Sequence, residues 1–333
     1  MMQTITRCLA LVGCLVSGFG SAQRIDNTAL FRQMGQASFI RLHYHNDLFT
    51  GTDYYYTQGY SIEAVRAGLQ KNPLTRLLVK SRVGQNQYGL AFEHFGFTPT
   101  SIQRDAIPVG DRPFAGCILV KTFSMSVDTL RRVRVSSVLS TGMIGPVALG
   151  GPIQTALHRL TNGVEPHGWQ HQIRNDVIVN YTLAYDQQLY AYRRLVLVSA
   201  SVQAQAGTFA NRLQTGIVVM AGRFDSPFAA RTRRRLPMQV YVFAQPLIGL
   251  VAYDASLQGG LFNRSSPYVI QANQLARTTV QVNLGAVFRY KNLYLEYDQS
   301  TLSREFVTGR PHRWGGVKIG VSFSPLTPQA ITE

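Results

Sequence analysis

The chain has 333 residues, is 45% hydrophobic and 15% charged, and sets 33 Lys and Arg against 17 Asp and Glu for a formal net charge of +16. Its 17 Phe and 16 Tyr supply too much apolar surface for a solvated coil, so disorder is excluded, while the length admits one large domain or two ordinary ones. Of three cysteines two fall within the first 14 residues, which leaves Cys117 and excludes both a disulfide framework and a structural zinc site.

At the N-terminus, Arg7 precedes an apolar stretch from Cys8 to Val16, followed by the small residues Gly20-Ser21-Ala22. This predicts a signal peptide over residues 1–22 and a single mature domain over 23–333. Leu11-Val12-Gly13-Cys14 also resembles a lipobox, which would lipidate Cys14, but a run of only about five apolar residues precedes it. No later apolar run approaches the roughly 18 residues of a membrane-spanning helix. The chain reads as exported, and as either soluble or a membrane barrel.

From there on the pattern is period-2 alternation. Strands are predicted near residues 38–46, 59–67, 86–95, 116–126, 130–142, 176–186, 194–206, 212–222, 238–251, 277–289, 292–301 and 315–323. The clearest sets Thr278, Val280, Val282, Leu284, Ala286, Phe288 and Tyr290 against Arg277, Thr279, Gln281, Asn283, Gly285 and Arg289. About a dozen strands, several near the 9–11 residues a tilted strand needs to cross a bilayer, predict a closed antiparallel up-and-down transmembrane β-barrel with greasy outer and polar inner faces. A secreted β-sandwich explains the alternation equally well, but not the strand length. By parity, the loops after strands 1, 3, 5, 9 and 11 are outer, and those after the even strands are periplasmic. The link over residues 68–85 is too long for a periplasmic turn, and ten residues follow Phe323 where such barrels commonly stop at a terminal aromatic.

The candidate functional residues lie in the first three outer loops. Asn46-Asp47 closes the first strand, and Asp53 to Gly59, including Thr57, opens the second. Asp47 shares parity with Arg41, His43 and His45 and is expected to face the lumen. Loop chemistry alone also accounts for such residues. Next comes Gly110-Asp111-Arg112-Pro113-Phe114, where an Asp-Arg pair is more often structural than catalytic. The loop over 143–175 holds a short helix: Gly150-Gly151-Pro152 begins it, Ile153, Leu157 and Leu160 form an apolar stripe, and Gly163 stops it. Gln154 and His158, four apart, share a face. His94, His167, His171 and His312 read as rim or lumen residues. No G-x-S-x-G elbow occurs, which disfavours a serine acyl-enzyme. Arg231-Thr232-Arg233-Arg234-Arg235 reads as a solvated inner turn, and export with dispersed charge argues against nucleic acid as partner.

Asn46-Asp47, Tyr56-Thr57-x-Gly59, Thr98-Pro99, Gly110-Asp111-Arg112-x-Phe114, Ile144-Gly145-Pro146 with Gly150, Gln154 and His158, and Trp169-x-x-Gln172 occur in one order over about residues 38 to 176. In this the sequence resembles the outer-membrane lipid A 3′-O-deacylases, whose order of motifs is specific although each alone is weak. The resemblance implies a twelve-stranded barrel with its active site between the outer wall and a loop helix, and a requirement for calcium. It assigns His158 as general base on water, Asn46, Asp47, Thr57 and Gln154 as its companions, and Asp47, Asn46 and Glu165 as Ca²⁺ ligands. Glu165 substitutes for an acid-x-Tyr segment this chain lacks, and Gln103-Arg104-Asp105 carries one basic residue where two are expected.

Removal of the 3′-linked acyloxyacyl chain is the implied reaction. Lipid A in lipopolysaccharide is the implied partner, with Arg104 and Arg112 as phosphate contacts. A monomer is expected. The competing readings are a non-catalytic porin, adhesin or structural barrel, and an outer-membrane phospholipase.

Overall fold

The computed structural model describes residues 25–35, 38–52, 54–81, 84–160, 163–230 and 235–323. The signal peptide, Cys14, Asp53, Arg231 to Arg234 and the tail after Phe323 lie outside them.

All twelve expected strands are present and close into one antiparallel ring. They are β1 (Phe39–Asn46), β2 (Tyr55–Val65), β3 (Gln85–Thr98), β4 (Ala115–Asp128), β5 (Val133–Ile144), β6 (Asp176–Tyr192), β7 (Val196–Gly207), β8 (Ala210–Arg223), β9 (Met238–Asp254), β10 (Thr278–Tyr290), β11 (Leu293–Leu302) and β12 (His312–Ser322). Closure is made by β1 on β12, from Phe39 opposite Ser322 to Asn46 opposite Gly315. Helix α1 (Gly150–Leu160) lies in the loop after β5, and a single turn, α2 (Ala255–Gln258), follows β9.

The alternation takes the form expected of a barrel in lipid. Ile40, Leu42, Ile62, Phe92, Val120, Val242, Ile248, Leu284 and Ile319 face outward and are exposed, whereas Arg41, Glu63, Glu93, Lys121, Arg134, Asp186, Glu296, Asp298 and Lys318 are buried inside. Interior charges are costly unless paired, and they are paired: Arg41 with Glu63, Lys121 with Glu93, Arg134 with Asp186, and Lys318 with Glu296 and Asp298.

The lumen also holds the chain's own N-terminal segment. The Ile25 amide donates to Glu93 at 2.9 Å, and Lys121 Nζ reaches the Ile25 carbonyl at 2.9 Å. Across the barrel, Arg32 Nε bonds Glu296 at 2.9 Å, Tyr241 Oη donates to the Phe31 carbonyl at 2.7 Å, and Phe31 stacks on Phe243 with centroids 3.7 Å apart. Residues 25–33 therefore bridge β3 and β4 to β9 and β11. A polar cavity of about 110 Å³ remains beside them, lined in part by His45, Gln203, Gln214 and Asn283.

The link after β2 forms two 3-10 turns, Ala67–Lys71 and Pro73–Leu77, and does not stay at the rim. Val79 accepts hydrogen bonds from Ser137 Oγ at 2.7 Å and Ser124 Oγ at 3.3 Å, and its amide donates to Tyr181 Oη at 2.8 Å. Those three side chains lie on the outward face, so the link is long because it climbs the outside of the wall.

Candidate active site

The site is built where β1 ends. Asn46 donates through Nδ2 to the Thr57 carbonyl at 2.6 Å and accepts the Leu48 amide on Oδ1 at 2.7 Å, capping a 3-10 turn over Asp47–Thr50. Gly51 ends that turn at φ 67°, in the left-handed region. Thr57 lies at a bulge where the β2–β3 register shifts between Tyr56 and Gln58, a device that re-aims a side chain near a sheet rim.

Helix α1 roofs these residues from outside the barrel. Gln154, buried on its inner face, donates from Nε2 to Thr57 Oγ1 at 2.9 Å and accepts Trp169 Nε1 at 2.7 Å. Because the amide can only donate at Nε2, Thr57 Oγ1 is the acceptor and keeps its own hydrogen to give. The close approach of helix to wall depends on small residues: a Cβ on Gly116 would lie 3.2 Å from the Gly150 Cα, and one on Gly150 2.7 Å from the Trp169 ring. His94 fixes the start of the roof through Nε2 and the Ala148 carbonyl at 2.8 Å.

His158 lies one turn beyond Gln154, half-buried, and its Nδ1 sits 2.5 Å from the Val164 carbonyl. A carbonyl can only accept, so Nδ1 carries a hydrogen, and of the two neutral tautomers the contact selects the one whose lone pair is on Nε2. That is the tautomer a general base needs. The groups brought together are thus Asn46, Thr57 and Gln154 in one hydrogen-bonded chain, with Asp47 buried beside Asn46 and His158 one turn along the roof.

Two expectations change. Asp47 was read by strand parity as facing the lumen, but β1 ends at Asn46 and a 3-10 turn begins at Asp47, so strand parity no longer governs it. Asn46 itself has the parity of Leu42 and Ile40, which face outward, and the Tyr44 and Tyr60 rings stack on that same face with centroids 5.2 Å apart. The helix, whose docking face the sequence left open, docks through Gly150, Gly151 and Gln154. The stripe of Ile153, Leu157 and Leu160 is left partly or fully open, with Leu160 83% exposed. The second change is His94, which belongs to the outward wall beneath the roof, where its ring lies against Tyr60 at 6.3 Å.

Arg104 is exposed on the loop beside the roof, its carbonyl 3.3 Å from where a Cβ on Gly168 would stand. Arg112 is fully buried: it pairs with Glu305, bonds Ser256 Oγ at 2.7 Å, and lies 4.0 Å over the Phe97 ring. Burial pushes the Glu305 carboxyl up, against the pull of Arg112. Such a guanidinium fixes the loop from within and, being fully buried, is out of reach of a lipid A phosphate, contrary to the expectation from the sequence. Its neighbour Asp111 ties the same loop by accepting the Thr100 amide at 2.8 Å.

Calcium takes six to eight oxygen ligands. Asp47 is a buried rim carboxylate and Asn46 stands beside it, but Glu165 is exposed and paired with Arg159 at 2.9 Å. Among the described residues no three His, Cys, Asp or Glu gather closely enough to hold a metal ion. A cage made of the expected trio, Asn46, Asp47 and Glu165, therefore does not fit.

Sequence reasoning gave Trp169 no role beyond a motif position, although it orients Gln154. It also missed Gly116 as the floor of the roof; a glycine opening an otherwise apolar strand was the available signal.

Among curated proteins none matches this chain. Among solved structures, LpxR from Salmonella typhimurium is similar over 86% of this chain and 100% of its own, at 19% identity and a TM-score of 0.71. The β domain of the Bordetella autotransporter BrkA aligns over 86% of this chain and 99% of its own at 8% identity, with a TM-score of 0.44. The family described as outer membrane protein LpxR matches residues 8–323. The chain therefore belongs to the LpxR family, and its barrel is an outer-membrane barrel.

Proposed function

We propose that this protein is a carboxylic ester hydrolase that removes the 3′-linked acyloxyacyl chain of lipid A, with His158 as the general base. The observation that carries this reading is the His158 imidazole, held by the Val164 carbonyl in its basic tautomer one turn from the Gln154–Thr57 bond. Family membership supports the same substrate class.

In this mechanism His158 Nε2 takes a proton from water as the oxygen attacks the ester carbonyl carbon. The carbonyl π pair moves onto oxygen, and the developing oxyanion accepts a hydrogen bond from the Thr57 hydroxyl, which the Gln154 and Trp169 pair holds in place. Collapse breaks the bond between the carbonyl carbon and the sugar 3′-oxygen, and the imidazolium returns its proton to that leaving alkoxide. Products are a free acyloxyacyl acid and the 3′-hydroxyl. Asn46 holds the Thr57 backbone, Asp47 lies beside it, and exposed Arg104 takes a lipid A phosphate. Leu48, Phe49 and Leu149, exposed around the mouth, offer acyl chains an apolar lip.

The test is mass spectrometry of lipid A from cells expressing the protein. Loss of the 3′ acyl groups with the starting protein, and intact lipid A with His158→Ala, support the assignment; deacylation by His158→Ala overturns it. The same assay on phosphatidylethanolamine separates a phospholipase. A porin is disfavoured by the segment bridging the lumen.

A further inference from the structure

We propose that residues 66–81 form an external belt that binds anionic phospholipid headgroups of the leaflet at the periplasmic rim. This rests on the barrel's place in the outer membrane and is independent of the hydrolase reading.

The belt leaves β2 at the rim shared by Phe39 and Ser322, the ends of the barrel chain. It then lies against the lipid-facing surface of β4, β5 and β6. Ser124 and Ser137 stand four residues inside the rim ends of β4 and β5, at Asp128 and Val133. There they project hydroxyls toward hydrocarbon, where an unmet polar group is costly. The belt meets them: the Val79 carbonyl takes both, and the Tyr181 hydroxyl accepts the Val79 amide and donates to the Leu77 carbonyl at 3.2 Å. Thr75 and Leu78 turn inward and are buried. The segment is thus a docked part of the wall.

Its other face is what remains to be satisfied. Leu74, Leu77 and Val79 are 40%, 61% and 48% exposed. Interleaved with them, Arg66, Lys71, Arg76 and Lys80 are exposed, and the belt contains no acidic residue. Lys80 Nζ lies 5.9 Å from the Tyr88 ring, an aromatic on the outward wall. Apolar side chains at one height with cations among them describe an element lying in the plane of a membrane interface, leucines in the acyl boundary and cations on phosphates. Water alone would leave the leucines unburied, and a neutral headgroup would leave an uncompensated row of positive charge. Net-anionic phospholipids satisfy both.

The experiment places a reporter on the belt of the intact barrel, Leu77→Trp, reconstituted in phosphatidylethanolamine vesicles doped with brominated phosphatidylglycerol or, separately, brominated phosphatidylcholine. Emission from the two native tryptophans is subtracted using the protein without the reporter. Quenching by the phosphatidylglycerol probe is expected to exceed that by phosphatidylcholine by on the order of threefold. The preference should vanish in Lys71→Glu/Arg76→Glu/Lys80→Glu and fade at high salt. The corresponding Gln triple covers a charge-reversed chain that fails to fold. Equal quenching by the two probes, or quenching by neither, overturns the proposal.

Discussion

Thr57 and Trp169 are joined through a single side chain, because the Gln154 amide gives its N–H to the Thr57 hydroxyl at 2.9 Å and takes the Trp169 indole N–H at 2.7 Å. The two bonds fix which end of the amide is oxygen, and so make Thr57 a donor. Gln154→Glu keeps the acceptor for Trp169 but removes the donor to Thr57, and Thr57→Val removes the hydroxyl. Each is expected to lower kcat for lipid A deacylation by about 10²-fold, with Thr57→Ser near the starting rate. The double variant should lose no more than the worse single one, since both break one chain of bonds. Additive losses in initial-rate assays would show that the two residues act separately.

The roof stands on Gly116, where a Cβ would meet the Gly150 backbone at 3.2 Å. Gly116→Val must lift α1 by a fraction of an ångström or more, carrying Gln154 and His158 with it. A displacement of that order costs about 10²-fold in rate when chemistry depends on alignment. The barrel should still show the heat-dependent shift in gel migration of a folded outer-membrane barrel, because the strand ladder from Cys117 to Asp128 is untouched. Full activity in a folded Gly116→Val protein would detach the roof from the reaction.

Calcium should bind the protein alone only weakly. With Glu165 committed to Arg159 and Asp47 the buried rim acid, affinity by calorimetry is expected at about 10⁻⁴–10⁻³ M, tightening when a lipid A analogue supplies further oxygens. Asp47→Asn should abolish that tightening, and Glu165→Gln should leave it in place. Submicromolar binding without lipid would mean that a more complete cage forms.

The lumen should not conduct. In planar bilayers the starting protein is expected to show no steady open-pore current, whereas deletion of residues 25–34 produces one, because that segment bridges Glu93 and Lys121 to Glu296 and Tyr241. Arg32→Ala should also lower unfolding stability by about 3 kcal/mol, since it strips a paired cation from buried Glu296 and Asp298. A conducting starting protein would count against this reading of the plug.

Most of the barrel was legible because lipid outside and charge inside impose the same alternation on every strand. The misplaced limits are instructive: β2 begins at Tyr55, four residues before Gly59, because Tyr55 and Tyr56 pair with Thr98 and Phe97 across a bulge. Tyr side chains in a row carry no period-2 signal. The Asn46, Thr57 and Gln154 constellation was visible as residue types in order, and their facing was not, since it turned on whether strand geometry extends one residue past Asn46. The helix was visible too, but its docking face was not: apolar content marked Ile153, Leu157 and Leu160, whereas close approach selected Gly150 and Gly151. The plug was illegible because residues 25–33 have no periodicity, and their fit depends on partners more than 60 residues away, such as Glu93 for Ile25.

The outward parity of Asn46 has a kinetic consequence. On the proposed reading, a substrate reaching Thr57 and His158 arrives sideways, by diffusion within the leaflet, and does not pass down the barrel axis. Encounter frequency is then governed by the number of lipid molecules per unit area around the protein and by the fluidity of that layer. Saturation curves should accordingly collapse onto one another when plotted against surface mole fraction, whatever the bulk dilution of the vesicles.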